Sequence, residues 1–156
     1  MANKTNALRM LDKQKISYRI KEYKVDEEDL SGVHLIEQLG LKANEVYKTL
    51  VLIGDKKEYL VACIPVDKEI DLKKLAKLSH HKKVEMIHQK DLLSITGYIR
   101  GGCSPIGMKK LFPTYIQEDI LDLKEVYVSA GKRGLQVILS PQDLIHTVKG
   151  QIGDMN

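Results

Sequence analysis

Apolar residues recur along this chain with two different periods, and the switches between them mark its elements. Between residues 5 and 15, Ala7, Leu8 and Leu11 fall at helical spacing behind Thr5 or Asn6 as a cap, and the following ISYRIKEY alternates as a strand does. SGVHLIEQLG predicts a short helix with Ser31 as its cap and Gly40 as its stop. EVYKTLVLIG and EYLVACIPV, joined by GDKK, predict a β-hairpin. DLKKLAKLS places Leu72, Leu75, Ala76 and Leu78 on one side and lysines on the other, an amphipathic helix capped by Asp71. Residues 83–87 suit a strand, and QKDLLSIT a helix that ends at Gly97. TYIQE, EVYVSAG and LQVILS read as strands, the last two joined by the turn GKRG. A final helix opens at Ser140, with Pro141 at the first helical position, where its missing N–H costs nothing. Strands outnumber helices, and two hairpins require much of the sheet to be antiparallel, so the class is mixed α/β.

Composition narrows this without redirecting it. A chain of 156 residues with 43% hydrophobic and 29% charged residues suits a single compact domain, residues 1–156, around one core. No run approaches the roughly 18 consecutive apolar residues of a membrane span, and MANKTNALRMLDKQK lacks the apolar core of a secretory signal. The expectation is a cytoplasmic protein with no membrane partner, whose two cysteines, Cys63 and Cys103, need not pair. The net charge of +4 is modest but unevenly spread. Lys73, Lys74, Lys77, Lys82 and Lys83, with His80 and His81, occupy the stretch between Asp71 and Glu85 without an intervening acid, whereas acids gather at Asp26–Asp29. The basic run is a candidate phosphate-contacting face or simply a solvated one.

Two features carry candidate chemistry. The first is GYIRGGCSPIGMKK, Gly97–Lys110, with four glycines, a proline and a cysteine in fourteen residues. It is too irregular for a helix or central strand and predicts a shaped loop able to present backbone N–H groups to a phosphate or carbonyl. It is not a P-loop, because Met108 stands where that motif needs lysine and Pro105 removes a donor. Cys103 within it is either a nucleophile or a small lining residue, and no histidine stands in a recognisable relation to it. The second is Lys48 in VYKTLVLI, a cation in an apolar strand, which either reaches water from an edge or forms the floor of an anion-binding pocket. The histidines are scattered or adjacent and none has a zinc-site spacing, so neither metal nor cofactor is expected.

In this order and at these separations, YKTLV, KKVEM, TGYIRGGCSPIG and VYVSAGKRGLQVILSPQDL closely resemble the YbaK family of aminoacyl-tRNA deacylases, relatives of the editing insertion domain of bacterial prolyl-tRNA synthetases. The resemblance runs from about residue 5 to the last helix. It implies a twisted, partly closed mixed sheet surrounded by helices, and removal of Cys mischarged on tRNA(Pro), with Cys-tRNA(Cys) also attacked. The implied mechanism is substrate-assisted, the cysteinyl thiol attacking its own ester, with no enzyme nucleophile and no metal.

On this resemblance Lys48, Gly101 and Gly102 take the catalytic positions, and Tyr23, Ser31, Cys103, Ser104, Pro105 and Gln136 surround the substrate. Lys73, Lys74, Lys77, Lys82, Lys83, Lys132 and Arg133 are the candidate tRNA contacts, with docking on prolyl-tRNA synthetase as a further expectation. Ser31 stands where better-known members carry an aromatic residue, and Gln136 where some carry an acid. The alternatives are a deacylase that releases Ala or another small residue through activated water, and a non-catalytic regulatory or binding module that keeps the pocket.

Overall fold

The computed structural model describes residues 4–156. Its helices are α1 (Asn6–Lys13), α2 (Gly32–Leu39), α3 (Leu72–Leu78), α4 (Leu92–Thr96) and α5 (Pro141–Val148). Its strands are β1 (Arg19–Glu22), β2 (Tyr47–Gly54), β3 (Tyr59–Pro65), β4 (Val84–Met86), β5 (Thr114–Gln117), β6 (Val126–Lys132), β7 (Leu135–Leu139) and β8 (Gln151–Gly153). The caps read from sequence are in place: Thr5, Ser31, Asp71 and Ser140 each accept a backbone N–H of the first helical turn, and Gly40 closes α2 in the left-handed conformation.

The strands form two open sheets, ordered β1-β7-β6 and β4-β2-β3-β5-β8, where the sequence reading expected one partly closed sheet. They approach at the start of β2, where, among the described residues, a single parallel bridge, Val46 to Tyr127, joins them without a continuous ladder. Pairing is mainly antiparallel, with β5 parallel to both β3 and β8.

Alternation along β2 and β3 sends side chains to two cores. Val51, Val61 and Cys63 pack toward α1, α5 and the inner face of the smaller sheet, which contributes Leu135, Val137 and Leu139. Leu52, Leu60, Ala62 and Ile64 pack on the other side, under Leu75 and Ala76 of α3. A sheet buried on both faces explains why β2 and β3 read as nearly continuous apolar runs. Among the described residues, no helix is long and apolar enough to cross a membrane.

Two departures from the sequence reading have local causes. β1 starts at Arg19 rather than Ile16, because Lys15 turns through φ 58° and the Ile16 N–H is used on the Leu11 carbonyl to finish α1. β8 was missed: three residues are too few to show a period, and the strand is secured by pairing with β5 and by the Met155 N–H donating to Gln117 Oε1 at 2.8 Å.

Candidate functional site

The outer face of the smaller sheet, the start of β2 and the N-terminal end of α2 enclose a cavity of about 180 Å³. That is below the roughly 300–1,000 Å³ of pockets for drug-sized ligands and suits a group of amino-acid size. On β7, Gln136 and its cross-strand partner Ser129 occupy the face opposite the core residues Leu135 and Val137, and both line the cavity. Tyr23 adds to this wall, its N–H donating to the Gly134 carbonyl at 2.9 Å and so extending β1 by one residue.

Strand β2 supplies Lys48 and Thr49 from its first residues. Register places Lys48 opposite Ile64, on the side of the second core, at the end of a row continued by Leu50 and Leu52. The lysine is half-buried and, among the described residues, has no carboxylate within ion-pair distance. Burial lowers its pKa from the ordinary lysine value, and the more distant Glu69 and Asp67 oppose that shift. A desolvated ammonium with no partner of its own is suited to an anionic or strongly polarised oxygen.

Helix α2 closes a third side. Ser31 Oγ accepts the His34 N–H at 3.2 Å, and the Asp29 carboxylate in turn accepts the Ser31 N–H at 3.1 Å. Hydrogen bonding from Ser31, through its hydroxyl first and its N–H second, holds the Asp29 carboxyl below the usual aspartate range. The helix lies close to the segment after β3 because residue 32 is glycine: a Cβ there would come within 2.6 Å of Val66 Cβ.

The glycine loop forms the remaining wall through Gly101, at φ 82°, and Cys103. It is shaped by internal bonds: Tyr98 Oη donates to the Ile106 carbonyl at 2.7 Å, and Ser104 Oγ accepts the Ile106 N–H at 3.2 Å. The Gly102 N–H donates to the Ile99 carbonyl at 3.0 Å and is therefore engaged.

Of the residues singled out in the sequence, Tyr23, Ser31, Lys48, Gly101, Cys103 and Gln136 thus come together around one cavity from five separate stretches of chain. Gly102, Ser104 and Pro105 do not line it; the first two shape the loop, and Pro105 borders a smaller depression with Met10 and Met108. Sequence reasoning missed Asp26, Asp29, His34, Thr49 and Ser129, all in the cavity wall. The acidic run at Asp26–Asp29 was the available signal, but an acidic turn gives no hint that it folds over a cavity.

Among the described residues, three of the cavity wall carry a buried polar atom with no hydrogen-bond partner within the protein: Tyr47 Oη, Thr49 Oγ1 and Gln136 Oε1. Buried polar groups are nearly always satisfied, and Gln136 Oε1, which can only accept, is open to a donor from a ligand. Cys103 offers no thiolate, because burial pushes its thiol up to about 12. Among the described residues, no group of three His, Cys, Asp or Glu side chains is arranged to hold a metal ion. Cys103→Ala is accordingly expected to keep most of the protein's activity and to make no difference to inhibition by thiol reagents, both read in one progress-curve assay.

A family model described as the aminoacyl-tRNA editing domain matches residues 31–147. Over 152 residues the chain is 49% identical to the Enterococcus faecalis protein EbsC, whose name describes a Cys-tRNA(Pro)/Cys-tRNA(Cys) deacylase, with 97% of this chain and 93% of that one covered. It is 31% identical over 102 residues to the proline–tRNA ligase of Lactobacillus gasseri, a match spanning 65% of this chain but 18% of the ligase. A crystal structure described as a trans-editing enzyme for prolyl tRNA synthetase superposes with a TM-score of 0.84, covering 99% of each chain at 20% identity, a likeness of fold.

Proposed function

Because this chain belongs to the aminoacyl-tRNA editing domain family, we propose that it removes cysteine from mischarged tRNA(Pro), with Cys-tRNA(Cys) as a second substrate, and that the substrate's own thiol does the chemistry. The observation that carries this reading is what lies in the cavity: a desolvated ammonium, Lys48, beside unpaired acceptors, with a single cysteine whose thiol stays protonated. Such a site can orient and polarise an ester but has no thiolate to offer it.

In this mechanism the cysteinyl sulfur attacks the ester carbonyl carbon and a C–S bond forms. The bond from that carbon to the ribose oxygen breaks, and the thiol proton ends on the departing hydroxyl. The products are deacylated tRNA and a cysteine thiolactone, which water opens to free cysteine. Attack within one ligand needs mainly orientation and exclusion of water, which a small cavity supplies. Lys48 stabilises the oxyanion that develops on the ester, the backbone at Gly101 positions the carbonyl, and Gln136 Oε1 and Thr49 Oγ1 accept from the α-ammonium. The name of the relative at 49% identity and the likeness to a segment of proline–tRNA ligases support the choice of amino acid and of tRNA(Pro); docking on prolyl-tRNA synthetase belongs to the same reading.

One observation favours a second reading. His34 lines the cavity with Asp26 Oδ2 3.8 Å from its Nε2 and Asp29 Oδ2 3.9 Å from its Nδ1, an arrangement that could activate water and release alanine or another small residue. The two readings separate on Cys-, Ser- and Ala-tRNA(Pro) offered to the purified protein. Thiol chemistry predicts release of Cys alone, at a rate that His34→Gln leaves within a few-fold. Release of Ala, abolished by His34→Gln, would replace it with water attack.

A further inference from the structure

Besides the cavity floor, the structure carries a second cationic feature at the cavity rim. Strand β6 contains an irregularity: Ser129 pairs with Gln136, but the next paired residue is Lys132, opposite Leu135. The extra residues, Ala130 and Gly131, fold the β6–β7 turn against the glycine loop. Contact there is backbone on backbone, since a Cβ on Gly102 would lie 2.8 Å from the Arg133 nitrogen. The Arg133 side chain then runs past Gly101, whose hypothetical Cβ would sit 3.3 Å from Arg133 Nε and 3.4 Å from Leu30 Cδ2. Gly101 and Leu30 both line the cavity, so the guanidinium stands at its edge.

Its orientation is fixed. Arg133 Nε donates to the Arg100 carbonyl at 2.8 Å, which holds the guanidinium plane and leaves both terminal nitrogens available. Their only ionic partner among the described residues is Glu27, at 4.0 Å, with a side chain 80% exposed against 29% for Arg133. A half-buried arginine fork with one nitrogen anchored and a distant, exposed counter-ion is prepared for an incoming oxyanion that it can hold with two parallel bonds.

We propose that Arg133 clamps the phosphate of the substrate's 3′-terminal nucleotide, and that Glu27 is the counter-ion this phosphate displaces. The inference rests on the aminoacyl-tRNA reading above. An amino acid esterified to the terminal ribose and seated in the cavity puts that nucleotide's own 5′-phosphate one ribose outside the mouth, at the rim that Arg133 occupies. The lysine run picked out in the sequence is placed elsewhere. Lys82 and Lys83 precede β4, which pairs with β2 at Leu52–Gly54, about 20 Å along the strand from Lys48. Lys74 Nζ is already held by Asp154 at 3.0 Å and by the Asn156 carbonyl at 2.9 Å. Lys82 and Lys83 lie too far off for the terminal phosphate and are left for more distant parts of a tRNA, and Lys74 is already engaged.

The test is binding of a fluorescent, unacylated RNA microhelix ending in single-stranded CCA, with either a normal phosphate or an uncharged methylphosphonate at the last linkage. Arg133→Ala weakens the all-phosphate probe about tenfold or more and lowers the slope of log affinity against log salt by about 1. The methylphosphonate weakens wild-type binding to a similar degree, and Arg133→Ala then adds little. Arg133→Lys, which keeps the charge and loses the fork, falls between, and Glu27→Gln tightens binding of the phosphate probe alone. Equal loss on both probes for Arg133→Ala, with the melting temperature unchanged, overturns the clamp, as does unchanged binding. Deacylation by the wild-type protein is read separately. Turnover without coupling between Arg133 and the last phosphate rejects only the clamp, whereas coupling without turnover rejects the deacylase and keeps the clamp.

Discussion

Replacing Lys48 by methionine lowers kcat/KM for cysteinyl-tRNA about 10²-fold and leaves the melting temperature unchanged or raised. Both halves follow from the lysine's place in β2. It ends a row of side chains continued by Leu50 and Leu52 and, among the described residues, has no ion-pair partner. The fold gains little from an ammonium there, and a methionine of similar length covers the same apolar surface. The depressed pKa expresses this as a dependence on pH. The folded chain holds the Lys48 proton less tightly than the unfolded chain, so the charged lysine costs stability below its folded pKa. That cost is relieved as pH rises through the folded value toward the unfolded one. In the same window the wild-type enzyme should lose activity, since the ammonium proposed to stabilise the developing oxyanion is being lost. Stability that rises while activity falls on the alkaline side, in wild type but not in Lys48→Met, is the expected signature. A methionine variant that unfolds would instead make Lys48 a structural residue.

The second large effect is expected at Gly102. Alanine there places a methyl group against the Arg133 nitrogen and the Lys132 main chain, 2.8–2.9 Å away, where no flexible side chain can give way. The loop has to lift off the β6–β7 turn, at a cost of about 1–3 kcal/mol. The same movement breaks the bond from the Gly102 N–H to the Ile99 carbonyl and displaces the neighbouring cavity residues, Gly101 and Cys103. Activity should fall well beyond what the unfolded fraction explains. Gly40→Ala is the matched control: it forces alanine into a left-handed position at φ 65°, costing roughly 1–2 kcal/mol, but nothing lies within 4 Å and Gly40 does not line the cavity. Melting curves and turnover measured side by side should show destabilisation in both variants and a specific catalytic loss only in Gly102→Ala.

Local chemistry made much of this architecture readable in the sequence. Caps at Thr5, Ser31, Asp71 and Ser140 and the hairpin between β2 and β3 are decided by a few adjacent residues, and each appears where the pattern places it. What sequence pattern could not convey was the relation between distant segments. The separation into two sheets is a matter of which distant strands pair, and β8 exists through its pairing with β5, beside which Gln117 accepts the Met155 N–H from 38 residues away. The candidate site divides in the same manner. Lys48 and the glycine loop stand out because each breaks the pattern around it, a cation in an apolar strand and a cluster of glycines. Thr49, Ser129 and His34 are ordinary residues in ordinary elements, and only the fold turns them toward one cavity. Gly102 shows the converse: the sequence marks it as special, and the reason is a close backbone approach rather than a free N–H.

In the proposed mechanism the substrate's thiol, not the protein or water, attacks the ester, and S-methylcysteinyl-tRNA(Pro) separates these attacking groups. The methyl group removes the nucleophile while keeping the ester, the α-ammonium and the tRNA. The account predicts that the protein binds this substrate, competes it against Cys-tRNA(Pro), and releases no amino acid from it above the uncatalysed rate. Release at a rate comparable to that of the unmodified cysteinyl ester would contradict it and assign the attack to water.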